Sequence, residues 1–100
     1  MKVKVGASVR IGGRTFKVLR IPDLGVTEGV FGRTVISRGL IKVGTEPGKT
    51  DDQKAVDFWH ETLHNVDEIY CGSILEERVI IGLGEGVFQV LKDMGIEFEL

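Results

Sequence analysis

Hydrophobic and polar positions in the first 44 residues alternate with the period of two that is typical of β-strands. Gly12-Gly13 and Arg38-Gly39 interrupt this alternation as short turn signals, which indicates two hairpins. The predicted strands are Lys2 to Ile11, Arg14 to Ile21, Val30 to Ser37 and Leu40 to Val43. We therefore expect a small antiparallel sheet, with a loop over residues 22–29 joining its two hairpins.

After Thr45 the hydrophobic period changes to 3.6, which predicts helices. Thr50 and Gln53 match a capping box, so a first helix should begin at Asp51 and end near Cys71. The apolar stripe expected to be buried on it consists of Ala55, Val56, Trp59, Leu63, Val66 and Tyr70.

A second match to the capping box, Ser73 with Glu76, predicts another helix that ends at Gly95, followed by an extended tail. Its expected apolar stripe consists of Leu75, Val79, Leu83, Val87, Val90 and Leu91. The alternating glycines 82, 84 and 86 weaken this helix and favour close packing on the first one.

Together these elements predict one α+β domain over residues 1–100, with a β-rich part at 1–44 and a two-helix part at 50–95. Of the residues, 42% are hydrophobic and 28% charged, as in ordinary soluble domains, and no apolar run is long enough to span a membrane. A secretory signal is not visible, and the single Cys71 fits a reducing compartment. We expect a cytoplasmic protein.

Charge is distributed unevenly, because residues 1–44 hold nine of the 13 Lys/Arg side chains and residues 45–100 hold thirteen of the 15 Asp/Glu. A basic sheet is one way to bind a polyanion, but no aromatic platform or known reader motif accompanies these charges. Nucleic acid is therefore not the expected partner.

The chemistry of the chain is concentrated in His60-Glu61-Thr62-Leu63-His64, an HExxH sequence within the first predicted helix. Histidines at i and i+4 lie on one helical face, where both imidazoles can bind one zinc ion. Glu61 lies beside them as the expected general base. Random placement gives this histidine spacing roughly 2% of the time, and a glutamate after the first histidine lowers that to about 0.2%. Chance is therefore a poor explanation of the motif.

A third protein ligand must come from elsewhere, since Asp67 and Tyr70 occupy the positions that a longer three-histidine motif would need. Glu77 is the preferred candidate, because the predicted cap uses Glu76 to bond back to Ser73. Glu76 is second, and the remaining alternatives are Asp67, Glu68, Cys71 and Glu85. Asp67 also fits a role in orienting His64 or on a solvated face. Tyr70 and Arg78 are guesses for the residue that stabilises an oxyanion.

The chain also resembles small phage-type zincin metallopeptidases, which are related in pattern to the ImmA/IrrE group. The resemblance covers most of the chain: a β-rich part with a Gly-Arg-Thr-Val-Ile-Ser strand, Trp59–Asp67, Leu75–Val79 and Gly86–Asp93. It implies that His60, His64 and Glu77 bind zinc and that Glu61 is the base.

The sequence therefore predicts a zinc-dependent hydrolase that cleaves a protein or peptide substrate. A strand near the cleft, Leu40 to Val43, is expected to hold that substrate by strand addition. The alternative is a non-catalytic module, stabilised by zinc, that binds a protein or polyanion. A catalytic site leaves the fourth zinc position open, whereas a structural site fills it with a protein ligand.

Overall fold

A mixed four-stranded sheet and two long helices form the body of the protein, in a computed structural model that describes residues 1–100. The strands are β1 (Lys2–Lys4), β2 (Ser8–Ile11), β3 (Arg14–Ile21), β4 (Gly32–Val35), β5 (Leu40–Gly44) and β6 (Glu97–Glu99). The helices are α1 (Leu24–Thr27), α2 (Asp51–Val66) and α3 (Glu77–Asp93), with a 3₁₀ turn at Ile36–Arg38 and a π-helical turn at Asp67–Cys71. The α+β class is confirmed.

The four-stranded sheet has the order β2-β3-β5-β4. Both predicted hairpins are present and antiparallel, β2 with β3 and β4 with β5. The central pair, β3 with β5, is parallel, so the expectation of a wholly antiparallel sheet is wrong there. The reason is that β5 lies between β3 and β4. The segment from Pro22 to Phe31 connects β3 to β4 at the edge of the sheet, and β5 then returns between them, parallel to β3. Half of that predicted loop is the short helix α1.

The predicted first strand is divided between two sheets. β1 pairs in parallel with β6, whereas β2 pairs with β3. The Arg20 guanidinium donates to the Val5 carbonyl at 2.5 Å where the strand breaks, and so satisfies a backbone group that no strand partner reaches. Gly12 and Gly13 close the β2–β3 hairpin with positive φ angles of 60° and 80°, as a tight turn between twisted strands requires.

Helix α2 begins at Asp51 as predicted. The Thr50 hydroxyl accepts from the Gln53 backbone N–H at 3.1 Å, and the Gln53 side chain accepts from the Thr50 N–H at 2.8 Å. The buried residues of α2 are Ala55, Phe58, Glu61 and Asn65. The predicted stripe is wrong at Tyr70, which is 67% exposed, because two polar residues, Glu61 and Asn65, lie on the face toward the sheet.

Helix α3 begins at Glu77, and Glu76 is its N-cap without any side-chain capping bond. The Ser73–Glu76 capping box is therefore wrong; Ser73 lies in the turn before the helix with a φ of 58°. The helix buries Ile80, Gly84 and Phe88 against α2, and the predicted stripe is wrong because Val79, Leu83 and Val90 are exposed. A Cβ at Gly84 would lie at ordinary contact distance, 3.6 Å from the His60 Cα, whereas one at Gly82 or Gly86 would meet nothing within 4 Å. The expectation that close packing on α2 explains these glycines is therefore wrong for Gly82 and Gly86.

The hydrophobic core lies between the sheet and α2. Its buried members are Val5, Ile11, Phe16, Val18, Ile41, Val43 and Phe58, with Trp59 and Phe98 packed against them. Because α3 packs on the other side of α2, helix α2 lies between the sheet and α3. None of the helices has both the length and the apolar character that crossing a bilayer requires.

Candidate metal centre

The two histidines of the HExxH motif face the same point in space. They lie one turn apart in α2, and their Nε2 atoms are 3.1 Å from each other. Both side chains are partly buried, with 22% of His60 and 30% of His64 exposed. The rings meet edge to face with centroids 4.7 Å apart, so each presents its Nε2 to the same cleft.

Glu77, the first residue of α3, completes this cluster. Its Oε1 lies 2.8 Å from the His60 Nε2, and its Oε2 lies 3.0 Å from the His64 Nε2. One ligand atom from each of the three residues lies within 4.8 Å of the others. Of the other sequence candidates, Glu76 bonds to Arg78 at the surface, Glu68 lines the cleft outside the cluster, and Cys71 and Glu85 are exposed elsewhere.

Asp67 explains how α3 reaches this position. It is buried, with 5% exposed, and its Oδ1 accepts from the backbone N–H of Ile74 at 3.1 Å and of Leu75 at 3.3 Å. Neither role expected for Asp67, orienting His64 or lying on a solvated face, is seen. Its carboxylate instead holds the segment between α2 and α3, and so fixes where Glu77 begins the next helix.

The donor set fits a tetrahedral metal ion. Zinc ligands at about 2.0–2.1 Å in a tetrahedral shell lie about 3.3 Å from one another. The two Nε2 atoms, 3.1 Å apart, are close to that value, and the imidazoles contact different oxygens of Glu77, at 2.8 and 3.0 Å, so a shared ion requires the carboxylate to move outward by about half an ångström. Two imidazole nitrogens and a carboxylate oxygen are also the ligands of one class of catalytic zinc site.

Glu61 lies beside the donors on the buried side of α2, and only 7% of it is exposed. Its Oε2 is 3.7 Å from the His60 Nε2, and its carboxylate accepts from the Thr34 backbone N–H. Burial and the nearby Glu77 carboxylate raise the pKa of Glu61 to about 7, against the opposing effect of the Thr34 bond. The metal-free cleft therefore holds a carboxyl group that binds a proton near neutral pH.

This pKa predicts a pH-dependent stability of the metal-free chain. Between its ordinary pKa of 4.5 and the raised value of about 7, Glu61 is protonated in the folded chain and ionised in the unfolded one. The free energy of unfolding should fall as the pH rises through this window, by up to about 3 kcal/mol, with no loss below it and the full loss above it. Denaturant unfolding in the presence of a chelator, compared between wild type and Glu61→Gln, measures this difference. An identical pH dependence in both proteins would contradict it.

Strand β4 is the part of the site that the sequence analysis did not identify. A Cβ at Gly32 would lie 3.1 Å from the Glu61 Cγ, and the Thr34 hydroxyl bonds to the buried Asn65 side chain at 2.8 Å. A glycine within a strand pattern is a signal of close backbone approach, so Gly32 could have indicated this contact. Tyr70 and Arg78, the sequence candidates for an oxyanion-stabilising residue, do not line the cleft.

Arg33 is the cation that does line the cleft, and Glu28 holds its guanidinium at 2.9 Å. The cleft around the donors has a volume of about 610 Å³ and runs between β4 and the start of α3. Comparison with protein-family models, with curated proteins and with solved structures finds no match to this chain. The geometry of the site and the chemistry of its residues are therefore the basis for assigning a function.

Proposed function

We propose that the protein is a zinc-dependent hydrolase that cleaves peptide bonds. The observation that carries the proposal is the convergence of the His60 and His64 Nε2 atoms on the Glu77 carboxylate, with the Glu61 carboxylate 3.7 Å from the first of them. His60, His64 and Glu77 would hold the ion. Three protein donors leave a fourth position open, which favours a catalytic site over a structural one.

Zinc bound there would supply a Lewis acid and lower the pKa of a water molecule at the open position. Glu61 takes the proton from the attacking water as its oxygen bonds to the peptide carbonyl carbon. The same carboxyl group then donates the proton to the amine nitrogen as the C–N bond breaks. The bond from the Thr34 N–H and the burial of the side chain hold this carboxylate in one orientation, which positioned acid–base catalysis requires.

Strand β4 offers a place for an extended substrate. The expectation for Leu40 to Val43 is wrong, because β5 is paired on both sides, whereas β4 is an edge strand. The Gly44 N–H bonds to the Phe31 carbonyl, so in this antiparallel pair the backbone groups of Gly32 and Thr34 point to the open edge. The Glu61 carboxylate accepts from the Thr34 N–H. The N–H and C=O of Gly32 and the C=O of Thr34 then remain to form hydrogen bonds with a bound peptide.

Space for a substrate also favours an enzyme over a zinc-stabilised binding module. A chain of 100 residues has few residues with which to enclose a substrate cleft. The cleft at the donors nevertheless has a volume of about 610 Å³. That volume lies within the range of about 300–1,000 Å³ that is usual for ligand pockets.

Metal analysis tests the first step of this proposal. Purified wild-type protein supplied with zinc should bind about one ion per chain, because only one cluster of three donors exists. The His60→Ala, His64→Ala double variant should bind essentially none, and X-ray absorption of the wild type should show two imidazoles, a carboxylate and a water.

Two results would contradict the proposal. Equal zinc content in the wild type and the double variant would show that His60 and His64 do not bind the zinc. The hydrolase proposal would also fail if a protein atom occupied the fourth zinc position and no peptide in broad libraries were cleaved. The protein would then be interpreted as a zinc-stabilised binding module.

A further inference from the structure

A second cavity, of about 340 Å³, lies between Phe31 and the N-terminal half of α2. Its lining residues are Phe31, Lys49, Asp52, Gln53, Val56 and Asp57. None of them belongs to the metal cluster or lines the cleft around it. It is therefore a separate feature that the proposed hydrolysis does not yet use.

Two residues that line the cavity are close in the chain to residues of the metal cleft. Phe31 lies between Val30 and Gly32, which both line the cleft. Val56 precedes His60 by four residues on α2, which places it about 6 Å along the helix on the same face. A peptide paired with β4 would advance by about 3.3 Å per residue, so a spacing of about 6 Å corresponds to a side chain one or two residues from the bond at the metal.

The charged residues of the cavity are already paired with each other or with neighbours. The Lys49 ammonium contacts the Asp57 carboxylate at 2.5 Å and the Gly44 carbonyl at 2.8 Å, and Lys92 binds Asp52. The two carboxylates therefore each have a cation, and an incoming charged side chain would have to break an existing pair. A hydrophobic side chain would enter without that loss.

Phe31 and Val56 supply the apolar surface that remains. Phe31 is 72% exposed, and the Lys49 ammonium lies 5.6 Å from the centre of its ring. A large apolar side chain packed between Phe31 and Val56 would remove both from water, which is the dominant favourable term in such contacts.

We infer that this cavity is a specificity pocket that takes a large hydrophobic side chain, such as that of phenylalanine or leucine, from the peptide bound at the metal. The inference rests on the proposed function, since it assigns a side-chain preference to the same site. It assigns to the substrates a bulky apolar residue one or two positions from the cleaved bond.

Binding of N-acetylated amino-acid hydroxamates tests the pocket without any need for turnover, because the hydroxamate binds zinc and the side chain probes the cavity. On the zinc-loaded wild type, calorimetry should give the phenylalanine and leucine hydroxamates an affinity about tenfold or more above that of glycine hydroxamate. Lysine and glutamate hydroxamates should bind no more tightly than glycine hydroxamate. In NMR spectra, the Val56 methyl signals should shift only with the apolar probes.

Phe31→Ala should reduce the preference for phenylalanine over glycine hydroxamate to less than half of its wild-type value, while the affinity for glycine hydroxamate stays unchanged. Val26→Ala is the matched control, because Val26 is 88% exposed in α1 and does not line the cavity. Equal binding of glycine and phenylalanine hydroxamates, or a preference for lysine hydroxamate, would contradict the specificity pocket but not the proposed metal centre. A chain that binds no zinc or no glycine hydroxamate would overturn the proposed function and the pocket with it.

Discussion

Replacing Glu61 with glutamine is expected to reduce peptide cleavage by roughly 10²–10⁴-fold, the contribution of positioned acid–base catalysis, while zinc content stays at the wild-type level. Glutamine keeps the size of the side chain and an oxygen that can accept from the Thr34 N–H. It cannot take up a proton from water at neutral pH. Turnover of a quenched-fluorescent peptide library, enriched in phenylalanine and leucine, measures the loss.

Glu85→Gln is the matched control for this substitution, because Glu85 is exposed on α3 and lies outside the cleft. Its turnover should equal that of the wild type. Cleavage by Glu61→Gln at the wild-type rate would mean that another group is the base. A loss of zinc in this variant would instead mean that Glu61 is a ligand.

The local parts of this structure were predictable because a few neighbouring residues determine them. The Thr50–Gln53 cap, the Gly12-Gly13 turn and the shared face of His60 and His64 each depend on residues no more than four positions apart. Helical and strand periodicity then determine where the side chains lie. The sequence therefore indicates a pair of candidate metal ligands before any tertiary contact is known.

The buried face of α2 could not be predicted in the same way. Hydrophobicity assigns Glu61 and Asn65 to solvent, yet both are buried toward the sheet, where Thr34 provides bonds for them. Burial of a polar group without such a partner is unfavourable, and the partner comes from a strand about 30 residues earlier in the chain. The rotation of the helix is thus determined by a distant contact that periodicity does not contain.

The position of Glu77 does not follow from the capping pattern of the sequence. The predicted cap of Ser73 with Glu76, which would have left Glu77 free for the metal, does not form. Glu77 lies against the histidines because Asp67 holds the backbone of Ile74 and Leu75, and the π-helical turn sets the direction of the connection. A bond from a buried aspartate to backbone N–H groups seven and eight residues later has no signature in the hydrophobic pattern.

Substitution of Glu77 is expected to have the second large effect, a loss of zinc affinity. The adjacent Glu76 has different surroundings and provides the comparison. Glu77→Ala removes the carboxylate that contacts both His60 and His64, at 2.8 and 3.0 Å. Zinc affinity should fall by more than the roughly 10- to 100-fold that follows the loss of an outer partner of a ligand. Competition with a chromophoric chelator measures the dissociation constant.

Glu76→Ala tests whether this effect belongs to the ligand position or to any negative charge at the start of α3. The Glu76 carboxylate contacts the exposed Arg78 at 2.9 Å and caps no backbone group, so its removal should change the free energy of unfolding by no more than about 0.5 kcal/mol. Because both variants lose one charge from the same turn, a general electrostatic effect would weaken zinc binding similarly in each. A wild-type dissociation constant in Glu76→Ala beside a large increase in Glu77→Ala is the result expected of a direct ligand. The reverse order would move the third ligand to Glu76 and require α3 to begin in a different orientation.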